Sequence, residues 1–157
     1  MYLNDRTNGV RSTTPVSRVV TVTAATAYLN VNDHDGKTVV VDAAAGCAIR
    51  LPAARGTGAQ LRILIGTTIT SNSTTIKVAN ATDVLVGFVF QAQPAGNTVS
   101  AFETASTDDT ITFNGTTTGG IKGDIVELTD IRAGFWSLQA ITAATGTTAT
   151  PLSATVS

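Results

Sequence analysis

Short β-branched runs recur along this chain at intervals of roughly eight to fifteen residues, with Gly, Asn, Asp or Ser clusters between them. No helix-length segment bridges one run to the next, so the pattern predicts an all-β fold. Residues 19–23 (VVTVT) alternate apolar and hydroxyl side chains, and a Gly36-Lys37 turn leads into residues 38–42 (TVVVD). Residues 47–51 (CAIRL) stop at Pro52, which cannot donate to a ladder. The cleanest alternation is QLRILI, where Leu61, Ile63 and Ile65 share one face and Arg62 and Leu64 the other, as a central strand requires. Ser71-Asn72-Ser73 between residues 67–70 and 74–78 predicts a hairpin. Residues 85–90, 99–102, 110–113, 125–128 and 135–141 complete a set of about ten strands.

Parallel β/α units would need helical crossovers, so the expected architecture is a single-domain antiparallel β-sandwich or small barrel, jelly-roll-like. No period of roughly 20 to 50 residues repeats, which argues against a solenoid. Composition agrees with strands and tight turns: 29 Thr, 22 Ala and 14 Gly stand against 9 Leu. One domain fits 157 residues. Residues 17–142 would form it. Before it lies an extended N-terminal arm, 1–16, with no periodic apolar face. After it comes a tail, 143–157, of mainly Ala, Thr, Gly and Ser that stays flexible or adds a strand to a neighbour.

Ten Lys and Arg balance eleven Asp and Glu for a net charge of −1, which does not suit a nucleic-acid binder relying on positive charge. The N-terminus lacks an apolar signal core and no apolar stretch is long enough to span a bilayer, so neither export nor membrane insertion is expected. Synthesis in a cytoplasm follows from that reading. Cys47 is the single cysteine, so no internal disulfide supports the fold.

Candidate chemistry is sparse. His34, the one histidine, sits in Asn32-Asp33-His34-Asp35-Gly36, a turn-forming sequence with no triad partner in view. Asp33-x-Asp35-Gly36 begins like a calcium loop, but Lys37, Thr38 and three valines follow where oxygen ligands are needed. Asp108-Asp109 reads as a turn, since adjacent carboxylates on an extended chain point to opposite faces and do not form a glycosidase pair. Cys47 on its strand reads as a small buried hydrophobe. One Cys and one His do not make a zinc site. No catalytic residue, cofactor or metal is expected. Phe135-Trp136 straddles both faces of its strand, so at least one ring belongs to the core and the pair marks a candidate subunit interface.

Four turn-plus-strand phrases carry a resemblance: LPAARGTGA (51–59), IKVANATDV (76–84), DTITFNGTTTGG (109–120) and KGDIVEL (122–128). The stretches around them, residues 37–87 and 102–141 with 150–157, resemble head decoration, or capsid cement, proteins of tailed bacteriophages. The resemblance implies a non-enzymatic virion structural protein, a homotrimer on the outer face of an icosahedral capsid, capping local three-fold junctions of the major capsid protein. It supplies no catalytic residues. Within that expectation Arg6, Arg11 and Arg18 are candidate capsid contacts, and the partners are the coat and other copies of the chain. A receptor-binding domain of a tail fibre or spike is the alternative.

Overall fold

The computed structural model describes residues 17–156; the arm, with Arg6 and Arg11, lies outside the described residues. In chain order the elements are β1 (Val19–Val22), β2 (Thr26–Tyr28), a one-turn helix α1 (Val31–His34), β3 (Lys37–Val41), β4 (Ala48–Arg50), β5 (Gln60–Ile65), β6 (Thr74–Lys77) and β7 (Val84–Gln93). Then follow β8 (Thr98–Glu103), β9 (Thr110–Phe113), β10 (Ile125–Arg132), β11 (Phe135–Ala143) and β12 (Leu152–Ser153). They form a seven-stranded sheet, β1-β3-β5-β10-β11-β7-β8, facing a five-stranded sheet, β12-β9-β6-β4-β2.

The core between the sheets comes from the inward residues of each alternating run. Val39 and Val41 on β3, Leu61, Ile63 and Ile65 on β5, Val126 and Leu128 on β10, and Trp136, Leu138 and Ala140 on β11 face Ile49, Ile76, Ile111 and Phe113 of the smaller sheet. The all-β sandwich is as expected. Strand β5 is an interior strand with β3 and β10 on either side.

The pairing differs from the antiparallel expectation. β1, β3 and β5 are mutually parallel, as are β2, β4 and β6, and β7 runs parallel to β11. The first six strands alternate between the sheets, so each parallel crossover contains a strand of the opposite sheet where a β/α unit would carry a helix. The result is three coils wound without a sequence repeat. Internal repetition is therefore no guide here, because only the alternation of apolar residues has to recur for each coil to cover the last.

Three further expectations change. Residues 67–70 do not pair with β6 as a hairpin. Gly66 N–H donates to Val41 O at 2.8 Å, Ile69 N–H to Gly120 O at 2.9 Å and Thr70 N–H to Ala44 O at 2.8 Å, because this segment crosses from one sheet to the other. The tail packs on its own chain. β12 pairs antiparallel with β9, Pro151 and Leu152 are buried, and the Asp109 carboxylate accepts from the backbone of Thr155 and Val156. Strands β2 and β12, three and two residues long, are additions to the expected set.

Candidate interaction surfaces

His34 ends α1, which Asn30 caps by accepting from Asp33 N–H, and the Asn30 backbone N–H donates to its Nδ1 at 3.1 Å. Asp33 Oδ2 accepts from Asn30 Nδ2, while Asp35 Oδ1 accepts from Gln60 N–H, so the two carboxylates serve different donors. Cys47 is buried, and burial pushes its thiol pKa up, away from the reactive thiolate. Trp136 points inward and is fully buried, which removes it from any subunit contact; Phe135 faces outward, half-buried, with the Arg132 guanidinium 3.8 Å above its ring. Arg18 is exposed at the head of β1, an edge strand, and its carbonyl accepts from Thr38 N–H.

The buried carboxylates all hold loops. Asp130 accepts from the backbone N–H of Arg55, Gly56 and Thr57 and from the Thr57 hydroxyl, at 2.7 to 3.1 Å, which fixes the link 51–59. Burial raises its pKa, yet these bonds outweigh burial and the net shift is downward. Asp124 accepts from Gly120, Ile121 and Ala143 N–H, but here burial wins over the three bonds and pushes the pKa up to about 6. Asp83 receives Ala54 N–H at 2.9 Å. Asp108, in the turn before β9, receives Ala105 N–H at 2.8 Å and Asp109 clamps the tail, so the Asp108-Asp109 pair is divided between two backbone duties. Among the described residues no three His, Cys, Asp or Glu side chains gather as a metal site.

The larger sheet carries apolar residues on its outward face as well as toward the core. Its outward side carries a line of laterally paired residues across six neighbouring strands: Val40, Leu64, Ile125, Ile141, Phe90 and Ala101. Ile141 is 62% exposed and Phe90 41%. One pleat further along, Phe88 is 44% exposed and its ring stacks on that of Phe90 with centroids 6.2 Å apart. Val99, 67% exposed, extends the patch on the edge strand β8. Apart from Phe88, the line beside it is polar, running Thr38, Arg62, Glu127, Gln139 and Glu103, with an ion pair from Arg62 Nε to Glu127 Oε1 at 3.7 Å. A contiguous apolar strip with a polar border is the form of a protein-contact surface. Residues 85–90 are apolar at successive positions, a pattern that marks burial on both faces of a strand and not only the strand itself.

Compared with protein families, curated proteins and solved structures, the chain gives no match.

Proposed function

We propose that this chain is a non-enzymatic bacteriophage virion protein, a capsid decoration or cement protein that binds the outer capsid surface as a homotrimer and stabilises the head. The observation that carries the reading is the outward apolar line of the seven-stranded sheet, a surface that an isolated subunit leaves wet and that packing against identical copies would cover. The turn-and-strand phrases quoted above supply the family likeness. The buried carboxylates support it too, since each is occupied in holding backbone. A protein that binds the assembled shell in preference to free coat subunits shifts the balance toward the intact particle by mass action, and many repeated weak contacts suffice.

The test is copy number. On purified particles the chain should be nearly stoichiometric with the coat protein; tens of copies per particle would place it in the tail and overturn the reading.

A further inference from the structure

The smaller sheet presents a second surface of opposite chemistry on its outward face. Registration of the parallel strands β2, β4 and β6 puts Tyr28, Arg50 and Lys77 side by side in one line, with Thr26, Ala48 and Thr75 in the next. These residues line a shallow depression of about 320 Å³. Neighbouring strands lie about 4.8 Å apart, so the stems of Arg50 and Lys77 leave the sheet as adjacent like charges, an arrangement that weakens a sheet. Among the described residues the one ion pair is Arg62 with Glu127, on the other sheet, and no described carboxylate lies within ion-pair distance of Arg50 or Lys77. Tyr28 stands 75% exposed beside them, on an edge strand whose far side has no strand neighbour among the described residues.

We infer that this face docks an acidic extended segment of a partner protein, its carboxylates meeting Arg50 and Lys77 and its stem covering Tyr28. Arg50 offers a planar fork for a carboxylate, Lys77 a point charge, and the tyrosine ring a flat apolar contact. Two cations are too few for a polyanion that gains its affinity by releasing counterions along a charged track. Unpaired among the described residues, the far edge of β2 offers main-chain hydrogen bonds to an extended peptide, which a sugar polymer would not use in a ladder. The inference goes beyond the head-decoration reading and stands on this face alone.

The experiment is an amide NMR titration of the full chain with hexaglutamate at low salt, with polygalacturonate as a second probe. Hexaglutamate should shift the amides of β2, β4 and β6 and the Tyr28 ring, and the shifts should fade as salt is raised. In Arg50→Glu/Lys77→Glu the apparent affinity should fall at least tenfold, and Arg50→Gln/Lys77→Gln should show an intermediate loss. Arg62→Glu, on the other sheet, should bind like the parent. Unchanged urea midpoints establish that each variant is folded. Shifts that persist in both double variants, that map to the larger sheet, or that arise with polygalacturonate and not hexaglutamate overturn the inference. None of these outcomes bears on copy number per particle, so the two readings fail separately.

Discussion

Asp130 and Asp124 show how the same side chain, in two settings, gives opposite pH behaviour. Asp130 is the acceptor for the whole turn of residues 55–57, and Asp130→Ala takes from that part-buried turn the acceptor of three N–H groups and the Thr57 hydroxyl. A loss of about 3 kcal/mol is expected in urea unfolding, against about 1 kcal/mol for Asp83→Ala, which frees a single N–H. Because the folded pKa of Asp130 lies below the ordinary 3.8, its contribution is fully present above that value and is lost as the pH falls through the folded pKa. Asp124 works in the other direction. Its folded pKa of about 6 exceeds 3.8, so between these values the folded state holds more protons than the unfolded state, and stability declines as the pH rises from about 4 to about 6. Urea midpoints measured across that window should slope downward in the parent and lose that component in Asp124→Asn.

At the scale of elements, the contact between β7 and β11 depends on Gly87. Its φ of 153° and its position opposite Leu138 leave no room for a side chain: a Cβ there would lie 1.8 Å from the Leu138 carbonyl oxygen. Gly87→Ala must push the strands apart, and a loss of 2 kcal/mol or more, or failure to fold, is expected by thermal unfolding. Most strands were legible in the sequence because period-two alternation is a local property, as in QLRILI. Their partners were not, because β1 to β6 alternate between sheets and nothing in a five-residue run says which sheet it joins. TAY of β2 is too short to show a period, and its flanking residues tie it to β4, Ala48 N–H donating to Ala25 O and Leu29 N–H to Arg50 O. The site was less legible than the fold. Phe135 and Trp136 stand out in the sequence as adjacent aromatics, yet the outward surface is built by register, which brings Ile125, Ile141 and Phe90 from distant parts of the chain into one line.

For the whole molecule, the apolar line makes a prediction about association. The parent should scatter light as a particle of about three times 16.0 kDa, and its unfolding midpoint should rise with protein concentration. Phe90→Glu/Ile141→Glu places charges on two outward positions, so it should give folded single subunits whose midpoint is independent of concentration. A trimer that survives this change would exclude the strip as the contact. The strand order β5-β10-β11-β7 has one more consequence, a kinetic one. On the ribosome β5 and β7 both emerge well before the hairpin that must slot between them, so the nascent sheet carries two open seams until residue 143 is synthesised. Closure at that late keystone makes refolding slow for the length of the chain, and it marks the interval in which crowded copies join one another's seams by mistake.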